Sequence, residues 1–332
     1  MEPQTQPLVS VVTPVYNGER YLAEAIGSIL SQTYTHWEYI IVNNQSTDRS
    51  LEIAQQYARR DSRIRVYTNP EFLGMLQNWN NALRQISPES TYCKVLHADD
   101  WLFPDCITQM VCLAEAHPSV GIVGAYRLHG SKVDLDGLPY PSTVVPGRDL
   151  CRAALMKGLY VFGSPTSTLF RAKQVRSRTP FYNEANLHAD TEVCYDILQH
   201  ADFGFIHQVL TYTRTHDEQV SSFAQRMNTY ALGNLRALVT YGPVYLSHAE
   251  YEQHLRLRLD QYYDFLGFNV LRRRDKKFWD YHREGLRHLG YRLSEVRLAR
   301  IVCAKLLDRI LNPKRTIEGR MHVLAMKKQQ VG

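Results

Sequence analysis

Two neighbouring carboxylates, Asp99 and Asp100, sit in the segment Leu96-His97-Ala98-Asp99-Asp100-Trp101. They follow an apolar run from Tyr92 to Leu96 and precede Pro104, a residue that suits the opening of a helix. Paired carboxylates at the tip of a strand suit a hard divalent cation such as Mg²⁺ or Mn²⁺. Oxygen ligands hold such an ion while leaving positions open for the phosphates of a substrate. Asp is also a preferred N-cap, so the same pair reads equally well as the start signal of the next helix.

The elements that must position this pair are legible on its N-terminal side. Leu8 to Thr13 reads as a buried strand, followed by Pro14-Val15-Tyr16-Asn17-Gly18 as a turn. Tyr21, Leu22, Ala25, Ile26, Ile29 and Leu30 then recur at helical spacing. A second apolar strand, Trp37 to Val42, leads into Asn43-Asn44-Gln45-Ser46-Thr47-Asp48, where Ser46 or Thr47 is placed to cap a helix running through Ala58. A third strand runs from Ile64 to Tyr67. Strand and helix in alternation imply a parallel sheet wrapped by helices, with its ligand outside the carboxyl ends of the strands. Tyr16, Asn44 and Asp100 all fall at such ends.

These segments resemble glycosyltransferase family 2, the inverting nucleotide-sugar transferases of GT-A fold. The matching residues are Val11-Val12-Thr13-Pro14-Val15-Tyr16-Asn17, Ser28-Ile29-Leu30-Ser31-Gln32-Thr33, Ser46-Thr47-Asp48, and Ala98-Asp99-Asp100 as a version of the DxD motif. The likeness runs from about Leu8 to Ser222. It implies a Rossmann-type α/β sheet sandwiched by helices, a nucleotide-diphosphate sugar as donor with a UDP-sugar favoured, and Mn²⁺ or Mg²⁺ as cofactor. By the same resemblance Pro14 and Tyr16 border the nucleobase, Asp99 lies near the ribose and metal shell, and Asp100 ligates the metal that bridges the diphosphate.

One departure bears on the donor. The family usually carries two Asp where this chain has Asn43-Asn44, and the second of them commonly accepts the N3 hydrogen of uracil. An Asn carbonyl oxygen can accept that bond, which makes Asn44 the corresponding nucleotide-binding residue, but its amide can also turn and donate. Asparagine is also an ordinary turn former, a reading that suits Asn43 better than Asn44.

Further along, Phe162 to Arg171 resembles the glycine-containing loop that family members place near donor sugar and acceptor, with Gly163 as its glycine or simply as a turn residue. Asn183 to Glu192 precedes an amphipathic helix with Val193, Ile197 and Leu198 apolar, and matches the family's xED segment. The catalytic base of that segment falls on Asp190, although Ala189 replaces the usual Glu. Helix capping is the alternative for Asp190, and Glu192 is the reserve base. An inverting transfer requires one such carboxylate, because the acceptor hydroxyl must lose a proton as it attacks the anomeric carbon opposite the leaving diphosphate. Thr213 to Ser221 resembles the closing segment in which a His contacts metal or phosphate, here His216. Leu73-Gly74 and Asn78-Trp79-Asn80 resemble a donor-side segment, or else Asn78 and Asn80 are the polar positions of a helix whose Trp79 and Leu83 are core.

Composition agrees with an enzyme of ordinary globular character: 332 residues, 44% of them hydrophobic, and a net charge of +6. No apolar run approaches the roughly 18 residues that span a bilayer, and Met1 to Pro7 lacks the regions of a signal peptide, so cytoplasmic residence is the default expectation. The six cysteines show neither CxxC spacing nor the density of a disulfide scaffold, and read as reduced thiols. Charge is uneven. From Tyr251 to Gly332 there are 19 Lys and Arg against 9 Asp and Glu, so the chain divides near Ser222 into a catalytic domain, residues 1–222, and a basic helical region, residues 223–332. Leu293, Val296, Ile301, Leu306, Leu307 and Ile310 recur between basic residues. Such a stripe either lies on an anionic membrane surface or packs on the catalytic domain with its charges in water.

A dinucleotide-binding oxidoreductase would need GxGxxG after the first strand, and Thr13 to Gly18 does not supply it. No nucleic-acid-binding module or aromatic-basic signature is present. Neither the QxxRW motif nor the membrane helices of processive family members occur, which points to single additions onto a glycan or lipid-linked acceptor, as in assembly of surface polysaccharide or glycolipid. The competing expectation is a degenerate GT-A protein that binds nucleotide sugar without turnover.

Overall fold

Val9, Val11, Val12 and Val15 are stiff, branched residues covered on both faces, which places their strand in the middle of a sheet. In the computed structural model, which describes residues 6–215, 224 and 226–312, that strand is β1, Val9–Val15. It runs two residues further than its sequence pattern, taking in Pro14, which pairs in register with Val42. The other strands are β2 Trp37–Asn43, β3 Ile64–Thr68, β4 Tyr92–Val95, β5 Trp101–Leu102, β6 Val120–His129, β7 Lys132–Asp134, β8 Val144–Val145, β9 Thr168–Arg171 and β10 Asp202–Thr213. Helices α1 Leu22–Leu30, α2 Ser50–Ala58, α3 Met75–Leu83, α4 Cys106–Ala116, α5 Gly147–Lys157, α6 Ala172–Arg176 and α7 Ala189–Ile197 connect them.

Among the described residues the strands form one sheet in the order β3-β2-β1-β4-β9-β6-β10-β5, with β7 on β6 and β8 on β10. The first four are parallel, as the alternation of strand and helix predicts. Beyond β4 the sheet is mixed. β9 lies antiparallel between β4 and β6. Its chain enters from a single 3₁₀ turn, Pro165–Ser167, at the carboxyl end of β4, so it can only run back down the sheet. The apolar side of the sheet closes on α1 and α4 through Leu22, Ile26, Ile29, Ile107 and Met110.

The chain separates into two compact units, Met1–Gln219 and Val220–Gly332. The second is helical: α8 Thr229–Tyr245, α9 His248–Leu271, α10 Lys276–His288 and α11 Glu295–Leu311. It has its own core of Leu232, Leu235, Tyr262, Leu266, Phe278, Leu286 and Leu298. Leu293 packs against that core, whereas Val296, Leu306, Leu307 and Ile310 of the expected apolar stripe are exposed. No helix of the described residues is long and apolar enough to cross a membrane.

Candidate functional site

The loops that follow β1 and β2 are tied to one another by short polar side chains. Asn17 N–H donates to Ser46 Oγ (3.0 Å), Thr47 N–H to Asn17 Oδ1 (2.8 Å), Gly18 N–H to Ser50 Oγ (2.8 Å) and Glu19 N–H to Asp48 Oδ2 (2.9 Å). Ser46 and Thr47 therefore do not cap α2, contrary to expectation. The helix starts later, at Ser50, whose N–H is taken by Asp48 Oδ1 (3.0 Å). The lacing leaves Tyr16 at the open end of β1, 49% exposed, with its ring edge-on to the 59% exposed Phe72 at a centroid distance of 4.9 Å. Pro14 is buried in the strand beneath.

Asn44 points inward and is only 2% exposed. Its Oδ1 accepts from Leu73 N–H (2.9 Å) and from Asn69 Nδ2 (2.8 Å), while its Nδ2 donates to Leu73 O (2.8 Å). Asn43 Oδ1 takes Ser46 N–H (3.2 Å). Asn78 and Asn80 are buried in α3. Each has a specific partner: Asn78 Oδ1 accepts from Asn69 (2.9 Å), and Asn80 exchanges bonds with the backbone of Tyr182 (2.8 Å each way). Trp79, core on the helix reading of this segment, lies partly exposed against His97, with centroids 4.6 Å apart.

At the end of β4, Asp99 and Asp100 diverge. The N-cap of α4 is Asp105, so neither carboxylate caps that helix. Asp100 is buried and accepts from Thr166 Oγ1 (2.7 Å), Arg214 N–H (3.1 Å) and, more weakly, Thr213 Oγ1 (3.4 Å). Burial, reinforced by the charge of Asp99, pushes its carboxyl up to about 7. Asp99 is more open, and Arg214 Nε donates to its main-chain oxygen (3.1 Å).

His97, which sequence reasoning passed over, joins them. The ligand atoms of His97, Asp99 and Asp100 lie within 4.8 Å of one another. Burial pushes the imidazole down, against the opposing pull of Asp99, and its buried Nε2 has no hydrogen-bond partner among the described residues. One neutral imidazole and two carboxylates form a donor set that fits a divalent ion of the first transition row. The signal available in the sequence was spacing alone: His97 stands two and three residues before the acids.

Lys94, fully buried in β4, holds the turn behind Asp100. Its Nζ donates to Thr166 O (2.7 Å) and Thr168 O (3.2 Å), and burial pushes the ammonium down from its ordinary range. The same turn lies against Gly163, Tyr182, Asp190 and Cys194, so the tertiary structure brings Gly163 and Asp190 together. Gly163 has φ +70°, and a Cβ there would stand 2.6 Å from Ser167 Oγ, so a side chain is excluded both by conformation and by space.

Asp190 is in the first turn of α7, whose N-cap is His188. Its Oδ1 accepts from the adjacent Thr191 N–H (2.8 Å). Burial raises its carboxyl, opposed by the charge of His188 and by that N–H. The Arg127 guanidinium, held bidentately by Asp134 at 2.9 and 2.6 Å, favours the charged forms of both Asp100 and Asp190. Glu192, the reserve base, accepts from Asn183 Nδ2 (2.9 Å) and from Asn186, and so serves the turn before α7. His216 lies outside the described residues.

Residues 10–177 match the family profile described as Glycosyl transferase family 2. The chain is 34% identical over 158 residues to the putative glycosyltransferase EpsE of Bacillus subtilis (strain 168), covering 45% of this chain and 56% of EpsE. It is 41% identical over 95 residues to that organism's putative teichuronic acid biosynthesis glycosyltransferase TuaG, covering 29% of this chain and 37% of TuaG. The chain thus spans little more than half of the one relative and about a third of the other. Among solved structures, S. aureus TarS 1–349 in complex with UDP-GlcNAc superposes with a TM-score of 0.63 at 18% identity, covering 90% of this chain and 84% of TarS. The mannosyltransferase PcManGT of Pyrobaculum calidifontis in complex with GDP-Man and Mn²⁺ gives 0.55 at 16%, covering 95% and 84%. At these identities the likeness is one of fold, and that fold is GT-A.

Proposed function

Because the chain belongs to glycosyl transferase family 2, we propose that it is an inverting, non-processive glycosyltransferase, moving a sugar from a nucleotide-diphosphate donor to an acceptor hydroxyl. The observation that carries this reading is the single turn, Pro165–Ser167, that borders both candidate half-sites. Its Thr166 binds Asp100 of the acidic cluster, and Pro165 lies in the group that contains Asp190 and Gly163.

In this reading Asp190 takes the proton of the acceptor hydroxyl as that oxygen attacks the anomeric carbon. A carboxyl raised by burial is a stronger base than an exposed one, which suits the task. His97, Asp99 and Asp100 would hold a Mn²⁺ or Mg²⁺ ion. Such an ion, when bound, supplies positive charge to the leaving diphosphate. Arg127 supports the ionised state of both acids from within the fold. Tyr16 and Pro14 border the base. A UDP-sugar is the favoured donor, since TarS is solved with UDP-GlcNAc, and PcManGT with GDP-Man is the reason to test guanosine as well. The acceptor is a glycan or lipid-linked glycan of surface-polysaccharide or glycolipid assembly; the description of TuaG names teichuronic acid biosynthesis for that protein. The exposed apolar residues of α11, set among basic ones, would make peripheral contact with an anionic membrane.

The test is Asp190→Asn, which keeps size and loses the base. General-base catalysis contributes about 10²–10⁴-fold, so transfer should fall by that order while donor affinity stays near wild type. NMR of the product anomer should show inversion. Near-normal turnover would move the base elsewhere, and a retained anomer would exclude single displacement. Donor binding in the wild type without any transfer would favour a nucleotide-sugar binder that does not turn over.

A further inference from the structure

The hydrogen bonds of Asn44 fix its amide orientation without ambiguity. A backbone N–H can only donate and a backbone C=O can only accept, so the paired contacts with Leu73 N (2.9 Å) and Leu73 O (2.8 Å) assign Oδ1 and Nδ2. Oδ1 also receives Asn69 Nδ2 at 2.8 Å, which occupies its second lone pair. No acceptor capacity remains for the N–H of a base. Asn69 is held in turn: its Nδ2 also donates to Asn78 Oδ1 (2.9 Å), its Oδ1 accepts from Asn81 (2.6 Å), and its backbone N–H binds Asn43 O (2.9 Å). These amides hold the main chain of Leu73 at both its N–H and its C=O. The preceding residue, Phe72, exposes 59% of its surface and meets Tyr16 edge-on. The aromatic corner thus stands just past the carboxyl ends of β1 and β3, the side of the sheet where α/β folds bind ligands. Exposed aromatic faces of this kind hold flat heterocycles without regard to their hydrogen-bonding edge.

We propose that Asn44 is a positioning residue that fixes the Phe72–Gly74 segment, and that the donor base is held by stacking on the Tyr16–Phe72 corner rather than by a bond to the Asn44 side chain. This rests on the reading of the protein as a nucleotide-sugar enzyme.

The two roles for Asn44 make opposite predictions for Asn44→Asp. A carboxylate is a better acceptor for a uracil N–H, so a base reader would keep or gain UDP affinity and would shift the UDP to GDP ratio. A carboxylate cannot donate to Leu73 O and would face it with like partial charge, so a clamp would loosen and weaken both nucleotides together. Isothermal titration of UDP and of GDP in Mn²⁺ against wild type, Asn44→Asp, Phe72→Ala and Phe72→Tyr tests this. We expect about a tenfold loss for both nucleotides in Asn44→Asp with their ratio unchanged. Phe72→Ala, a surface truncation that leaves folding intact, should lose about as much, and Phe72→Tyr should restore it. UDP affinity retained in Asn44→Asp, a changed ratio, or wild-type binding by Phe72→Ala would each overturn the proposal. Wild-type protein that binds neither nucleotide would instead refute the reading on which it rests.

Discussion

A carboxylate's role is decided by what already surrounds its oxygens. Asp100 matched the motif, and its two oxygens accept from Thr166, Thr213 and Arg214 of distant segments, which orients the carboxylate and still leaves a lone pair for an ion, while Asp99 is the more open acid. Thr166 is therefore the residue to perturb. Thr166→Val keeps the shape and removes both the O–H that Asp100 accepts and the oxygen that takes His97 N–H (3.1 Å). Hydrogen bonds to charged groups contribute about 1.5–3 kcal/mol, so Mn²⁺-dependent UDP affinity should fall about tenfold or more, with Thr166→Ser close to wild type. Calorimetry on the three proteins decides it, and unchanged affinity in the valine variant would show that Asp100 is held without its help. His97 and Thr166 were not legible beforehand for a plain reason. A histidine beside two acids and a threonine between a proline and a serine carry no periodic signal, and each acquires its role only from partners the fold supplies.

At the scale of elements, the helices of the second unit turn on a buried histidine. His282 in α10 is fully covered, with Nε2 2.9 Å from Met227 O and Nδ1 2.6 Å from Tyr262 Oη. The carbonyl must accept, so Nε2 carries a hydrogen, and in the neutral ring Nδ1 then accepts from the tyrosine. Burial pushes this imidazole down to about 4 from 6.5. Between those values the unfolded chain binds a proton that the folded chain does not, so stability rises with pH across the window and is lost as pH falls from 6.5 towards 4. The full loss is about 3 kcal/mol from the pKa difference. Hydrogen exchange of α8 and α10 amides at pH 6.5, 5.5 and 4.5 should show protection falling in wild type, with a flatter profile in His282→Gln. Equal slopes in the two proteins would leave the acid sensitivity to other groups.

For the molecule as a whole, charge and function are distributed unequally along the chain. Residues 251–332 carry 19 basic and 9 acidic side chains, and α11 exposes Val296, Leu306, Leu307, Ile310 and Leu311. If this helix meets a membrane, co-sedimentation with phosphatidylserine vesicles should fall as salt is raised, because surface attraction is screened over about 8 Å at physiological ionic strength. Leu306→Glu with Leu307→Glu should reduce it further by removing apolar area. Equal recovery on neutral and anionic vesicles would rule the contact out.

The amino-acid sequence by itself determined the strands and helices of the first half, because hydrophobic period and turn chemistry act within a few residues. β2 and β3 end one residue past their expected limits, and the apolar residues of α1 are buried apart from Leu30. It also determined that Tyr16, Asn44 and the Asp99-Asp100 pair stand at carboxyl ends of strands, since each follows its strand within a few residues. Only the tertiary structure decided what those residues touch. Thr166 reaches Asp100 across 66 positions, Arg214 across 114, and Asn44 finds Leu73 across 29. It also turned the outer half of the sheet mixed by sending β9 back from a single turn. Hydrogen-bond partners so far apart in the chain leave no periodicity to read, and whether an Asn clamps a loop or faces a ligand depends on which of its atoms those partners have already taken.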